Sequence, residues 1–500
     1  MNNKLNMKKI FILTTLVALL FSSRYGLAQT VRTLTFEEVI KIAEEQSPQA
    51  LIAKHRFRAS YWQYRTYVAQ YRPSLTLTGQ LPNYSSALER VWNSQNNVWE
   101  YRATNIMRNI ASLSLSQNIG MTGGSISLNS NLTLENDIEN ETRKYISSPI
   151  TIDLRQPIFR YNSLRWERKT EPLKYEIAKK NYISSIEGVH RSAVQSFFAL
   201  ALAQINKQIA EMNYSNADTL YRIAGGRYDL GTIAEDELLQ MQLSWLNAET
   251  ARKEAEMNLR DREIRLRSFL GYNDQVRIEL VIPNEVPDLQ VETQEVLDLA
   301  MSNNPEVFDQ ELTLLSAQAS LAQAKAEKGL NADLTASFGL RDQDSDFILA
   351  YSNSNRQQSV RVGITLPILD WGLGRGRYRM AQSSLELTQV QVEQALTDFE
   401  QNLLLDVEQF NLQKDQVAIA AKSDTVAQKR YEVTRQRFLI GKIAVLDLND
   451  ADSRKDQNRR AYIQSLQNYW TYFYNLRQLT LFDFIERKQI ETEFENLLDY

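Results

Sequence analysis

Cysteine is absent from the sequence. That excludes disulfides, thiol chemistry and a lipid attached at an N-terminal cysteine. Glycine and proline are scarce, 17 and 10 among 500 residues, well under the roughly 12% of an average chain. So few breakers favour long, uninterrupted helices. Histidine occurs twice, at His55 and His190, each alone in a helical stretch. No paired-histidine metal motif, phosphate-cradling glycine loop or Gly-x-Ser-x-Gly elbow is present. Gly372-Leu373-Gly374-Arg375-Gly376 is glycine-rich, but it follows a strand pattern and reads as a flexible strand-to-helix corner. No catalytic residue, cofactor or metal is therefore expected. The formal charge is −4, with acids and bases well mixed. Nucleic acid is a poor partner for such a chain, because phosphate neutralisation needs clustered Lys and Arg.

What is present begins with a secretory signal. Lys4, Lys8 and Lys9 precede an apolar run from Ile10 to Phe21, and Gly26-Leu27-Ala28 is a small-residue cleavage site. An uncleaved anchor is the other reading, but the run is shorter than a membrane-spanning helix requires. Residues 1–28 carry four positive charges and no acid, so their removal takes the charge from −4 to −8. Beyond them no apolar run reaches the length of a transmembrane helix, about 18 residues. An exported chain of this kind is either water-soluble or a transmembrane β-barrel.

The chain repeats itself once. Thr35-Phe36-Glu37-Glu38-Val39 ending at Ser47-Pro48 matches Glu292-Thr293-Gln294-Glu295-Val296 ending at Asn304-Pro305, at an offset of 257. Gln156-Pro157-Ile158-Phe159 matches Leu366-Pro367-Ile368-Leu369 at an offset of 210, and that offset holds through Tyr221 and Tyr431 to Leu266-Arg267 and Leu476-Arg477. A constant register over such a span marks a structural unit. The first repeat covers 29–280, with strands at 75–82 and 149–158 and a helical hairpin at 163–270 whose tip is near 227–232. The second covers 281–482, with strands at 332–342 and 359–369 and a hairpin at 373–480 whose tip is near 437–442. Residues 483–500 form a C-terminal tail. Pro172 either kinks the first long helix or marks its start. Each long helix would reach about 100 Å at 1.5 Å per residue. Helices that long, with narrow apolar stripes such as Leu385, Val392, Leu396, Phe399 and Leu403, need lateral neighbours from this chain or from copies of it.

The strand segments alternate apolar and polar residues, as in Ile150-Thr151-Ile152-Asp153-Leu154 and Val360-Arg361-Val362-Gly363-Ile364. A further hairpin is suggested by Leu113, Leu115, Ile126 and Leu128 around Gly123-Gly124, and its place inside or outside a barrel is open. A half-buried sheet packed on helices has the same pattern. Four to six strands are too few to close a membrane barrel, which needs at least about eight, and an open edge in lipid is not tolerated. Strands that span a membrane here would have to be shared among several chains.

Taken in order and spacing, these motifs resemble the outer membrane efflux protein family, the TolC-like channels. The opening Leu34-Thr35-Phe36-Glu37-Glu38-Val39, Gln156-Pro157-Ile158-Phe159, Leu366-Pro367-Ile368-Leu369-Asp370-Trp371-Gly372 and the turn Arg437-Phe438-Leu439-Ile440-Gly441 carry the resemblance, which spans about Leu34 to Phe482. It implies an α+β membrane protein: a homotrimer whose chains give about four strands each to a 12-stranded barrel in outer-membrane lipid, continued by a helical tunnel across the periplasm. It implies an exit channel of a tripartite efflux or type I secretion system, served by a periplasmic adaptor, or membrane fusion protein, and an inner-membrane pump of RND or ABC type. A periplasmic coiled-coil adaptor or scaffold without a pore is the alternative.

The resemblance also implies site residues. Asp447 and Asp450 stand where the family lines its periplasmic constriction, and three copies would gather a ring of carboxylates that favours cations and can raise its own pKa values. Two solvated acids after a turn would look the same in sequence. Glu237 and Gln240 are the first-half counterparts. Phe438 stands where a lock tyrosine is found, and Ile443 where a second linking arginine is found, so Lys442 and Arg437 become the candidates for holding the tip closed. Arg227, Leu230 and Gly231, with Arg437, Ile440 and Gly441, are the adaptor-docking tips. Phe159, Tyr161 and Trp371 follow strands and belong either to an interfacial aromatic belt or to the core.

Overall fold

The computed structural model describes residues 31–272, 277–283, 285–352, 354–440, 442–443 and 445–498; residues 1–28, expected to be a signal segment, and Gly441 lie outside them. The chain divides into two compact units. One holds the chain up to Ile52 with Ile186–Gln290 and Glu408–Asn475, and the other holds Ala53–Ser185, Val291–Val407 and the C-terminal part from Leu476.

The helical unit opens with strand β1 (Val31–Thr35) and helix α1 (Phe36–Gln46). Thr35 and Glu38 form a reciprocal capping box that satisfies two of the helix's first free N–H groups. Phe36, Val39, Ile40 and Ala43 recur at helical spacing and are buried. They meet α3 (Ser163–Asp229), which enters this unit at Ile186. Its Val189, Ala193, Val194, Phe197, Phe198 and Ala201 are all essentially inaccessible. α4 (Glu235–Leu270) returns and ends at Gly271, whose φ of +76° supplies the left-handed C-cap. β6 (Arg277–Val281) pairs in parallel with β1, and the Gln204 side chain of α3 donates to the Ile278 carbonyl at 2.8 Å.

The sheet unit contains α2 (Pro48–Gln70) from Ala53 onward, the remaining strands and the C-terminal segment. α5 (Thr293–Asn303) and α6 (Pro305–Glu327) share the lengths of α1 and α2, 11 and 23 residues. Likewise α8 (Leu373–Leu439) and α9 (Val445–Thr480) share the 67 and 36 residues of α3 and α4. The Ser-Pro and Asn-Pro motifs start helices. Asn304 accepts from the Glu306 N–H at 2.8 Å, with Pro305 at the first helical position, where its missing N–H costs nothing. Pro172 neither starts nor interrupts the first long helix; it sits inside it.

Six strands form one sheet, the upper end of the four to six read from the sequence and two more than the resemblance implies. The order is β2 (Ser74–Asn93), β3 (Val98–Ile119), β4 (Gly124–Asp137), β5 (Thr142–Ile158), β7 (Asn331–Asp344) and β8 (Asn355–Thr365), all antiparallel to their neighbours. The additional hairpin is β3–β4, inserted between the expected first and second strands. Strands reach 22 residues, far beyond the expected ten or so. Cross-strand pairing carries β2 and β3 through stretches without clean alternation, from Gln80 to Asn93. Between β7 and β8 lies a single short helix, α7 (Leu349–Ser352).

The C-terminal segment is more than a tail. β9 (Phe482–Asp483) and β10 (Lys488–Gln489) form a small hairpin, and a 3-10 turn at Phe494–Leu497 follows. Phe494 packs on Phe57 of α2 at 5.0 Å between ring centroids, and Arg477 pairs with Asp483.

Candidate functional site

Two helical hairpin ends carry most of the residues singled out in the sequence. At the first, α3 stops in a Schellman arrangement: the Thr232 N–H donates to the Arg227 carbonyl at 2.9 Å and the Gly231 N–H to that of Tyr228 at 2.8 Å. Gly231 has φ +70°, and a Cβ there would meet open space. Its requirement for glycine is therefore conformational rather than steric. Arg227 is exposed and Leu230 is 79% exposed. The second end repeats the closing bond, with the Lys442 N–H donating to the Arg437 carbonyl at 2.9 Å. Ile440 is 66% exposed. Replacing Gly231 by valine is expected to destabilise this hairpin end by about 1–2 kcal/mol, since an L-residue pays that much in the left-handed region. Amide hydrogen exchange around residues 227–235 should rise while protection in the α1–α3 core stays unchanged.

Glu237 and Gln240 are exposed near the start of α4, as Asp447 is in the first turn of α9. Asp450 is also exposed but not solitary. Arg430 of α8 donates to it from Nη2 at 2.8 Å, and Arg454 of α9 donates from Nε at 2.9 Å. These two guanidinium groups hold its carboxyl below the usual range. Within one chain the nearest charges to Asp450 are cations, whereas the upward shift expected of a carboxylate ring belongs to three assembled copies. A depressed carboxylate stabilises above its ordinary pKa, so the clasp between α8 and α9 is present at neutral pH and weakens as pH falls. Arg459 of α9 makes a second clasp with Asp424 of α8 at 3.0 Å. Sequence reasoning missed Arg430, Arg454, Asp424 and Arg459; only charge placement around the second turn could have signalled them.

The strand-end aromatics separate. Phe159 is 70% exposed and Trp371 is 90% exposed, so neither belongs to a core, whereas Tyr161 is half-buried. Both exposed rings sit on residues of positive φ, +62° and +54°. Asp370 orders the corner after β8: its carboxylate accepts from the Gly372 N–H at 2.9 Å and from that of Gly374 at 2.8 Å, capping α8.

The sheet has two chemically different faces. The register aligns Leu75, Leu115, Leu128, Ile152 and Phe338 on one, and all five are exposed. The neighbouring row, Ser74, Ser116, Ser127, Asp153, Ser337 and Ser359, lies on the other. β2 and β8 are edges. Among the described residues no helix is long and apolar enough to cross a membrane.

The model of the outer membrane efflux protein family matches residues 39–272 and 296–480. This chain belongs to the outer membrane efflux protein family. Solved structures agree at the level of fold. The Campylobacter jejuni CmeC outer membrane channel has a TM-score of 0.66 at 16% identity, covering 92% of this chain and 88% of its own. A membrane protein from Pseudomonas aeruginosa has 0.62 at 13%, covering 89% and 90%. The outer membrane protein VceC of Vibrio cholerae has 0.60 at 13%, covering 89% and 95%. No curated protein sequence matches. Family membership makes the chain an outer-membrane efflux channel, part of a class of passive conduits rather than enzymes. The exposed apolar face and the long hairpins are the two parts such a channel needs.

Proposed function

We propose that three copies of the chain form the exit channel of a tripartite efflux machine, taking cargo from a periplasmic adaptor and an inner-membrane pump. A type I secretion pump would deliver to the same entrance. The observation that carries this reading is the sheet with an exposed apolar face and two unpaired edges. Lipid accepts the apolar face but not the edges, so sister copies must complete the ring. The hairpin ends at Arg227–Gly231 and around Arg437 and Ile440 are the adaptor-docking tips, and docking opens the entrance by separating the helices there. Asp447 and Asp450 line the narrowest part, where their charge favours cations. No nucleotide-binding motif is present in the sequence, so the pump supplies the energy.

Fractionation combined with chemical crosslinking tests the assembly: a detergent-extracted trimer is expected, and a water-soluble monomer after signal removal would end the proposal. In planar bilayers, the double variant Asp447→Ala/Asp450→Ala is expected to lose most of its preference for cations over anions. Unchanged ion selectivity and conductance would remove both residues from the constriction.

A further inference from the structure

The inserted hairpin β3–β4 has no counterpart in the second half of the chain, where β7 and β8 are joined through one short helix. Two independent observations bear on its role. The first is register. Leu115 and Leu128 continue the exposed apolar row from Leu75 to Ile152 without a break, and Ser116 and Ser127 continue the polar row from Ser74 to Asp153. Along this polar row the serines of β3 and β4 are half-buried, whereas the leucines beside them are exposed. A hairpin folded over the sheet as a cap would not keep both rows in step with strands on either side.

The second observation is anchoring. The turn from Ile119 to Gly124 is fastened to the ends of helices α2 and α3. Asn118 donates to the Gln70 carbonyl at 3.1 Å, and Gln117 to that of Tyr71 at 2.9 Å. Asn162 donates to the carbonyls of Gly120 and Met121, both at 3.2 Å, while its own oxygen accepts from the Arg165 N–H. Gly124 lies so close to β5 that a Cβ would come within 2.8 Å of the Arg155 carbonyl. The turn therefore sits at the base of the sheet, level with the neighbouring strand ends.

We infer that β3 and β4 are full members of the transmembrane wall, so that the closed barrel has eighteen strands, six from each of three copies, with a second copy's β8 pairing on β2. This rests on the trimeric channel proposed above. Barrel diameter grows roughly linearly with strand number, so the ring would be about 1.5 times as wide as a twelve-stranded one, in the range that leaves an aqueous lumen. The polar row through Ser74, Ser116, Ser127, Asp153, Ser337 and Ser359 faces that lumen, and the leucines face lipid.

The lack of native cysteine makes the test direct. Single-cysteine variants Ser127→Cys and Leu128→Cys report on β4, and Ser337→Cys and Phe338→Cys report on β7, a strand on the far side of β5. Each trimer is reconstituted in phospholipid vesicles and treated with a membrane-impermeant maleimide. In both pairs the serine position is expected to label roughly tenfold faster than its apolar neighbour, following the alternation of lumen and lipid faces. Contrast at β7 with equal labelling at 127 and 128 would overturn the eighteen-stranded wall while leaving the channel intact. Absence of contrast in both pairs would overturn the membrane barrel itself, and the inference with it.

Discussion

Truncating Phe197 to alanine is expected to cost about 3–5 kcal/mol of stability, the range for removing a fully buried phenylalanine from a packed core. Phe197 is 0% exposed. Its ring meets Phe36 edge-on at 5.3 Å and Phe198 at 5.2 Å, and Phe36 lies 4.8 Å from Trp470. This one cluster joins α1, α3 and α9, three elements distant in sequence. The neighbours are rigid rings on packed helices, so they relax little into the space left behind. Transfer and cavity terms both apply in full. Guanidinium unfolding of the detergent-purified protein, followed by far-ultraviolet circular dichroism, measures the loss. Phe197→Leu keeps most of the volume and should lose clearly less. A loss under about 1 kcal/mol for the alanine variant would mean that the cluster is not the shared core of these three helices.

That core could be read only partly from the amino-acid order. Thr35, Glu38 and the Ser-Pro and Asn-Pro pairs stand in the sequence only as repeat markers, and their capping roles emerge in the structure; the ends of the long helices fell within a few residues of expectation. Glycine in a left-handed C-cap is a local feature too, and Gly231, singled out through the family resemblance, proves to fill one. The strand count was not legible. Leu113, Leu115, Ile126 and Leu128 alternate like any strand, yet nothing local says which sheet they join; that follows from pairing with β2 and β5, decided in three dimensions. The clasp on Asp450 was hidden for a similar reason. Arg430 precedes it by 20 residues and reaches it only because the turn folds α9 back on α8. Without that pairing the acid reads as solvated.

The same limit hid the most perturbed histidine. His190 looked solitary in its helix, but it stands between two carboxylates: its Nε2 is 3.2 Å from Glu44 of α1, and its Nδ1 is 3.4 Å from Glu187, one turn earlier. The latter is an ion-pair contact rather than an aligned hydrogen bond. Burial by itself would push the imidazole pKa down, but the two carboxylates outweigh it and raise it to about 9. Glu187 is 1% exposed, and a buried carboxylate needs a counter-charge, which the protonated imidazole supplies. A group whose folded pKa lies above its unfolded value of 6.5 stabilises fully below that value and loses the contribution as pH rises through about 9. The shift corresponds to stability on the order of 3 kcal/mol. Unfolding free energy should therefore fall by about that amount between mildly acidic and strongly alkaline buffer. The variant His190→Gln should start lower and show a flatter profile over the same window. The decline in the wild-type protein comes from deprotonation and not from general alkaline damage, so returning it to neutral pH must restore the loss. If wild-type and variant profiles run parallel across that window, the imidazole is neutral in the folded chain and Glu187 is balanced by some other means.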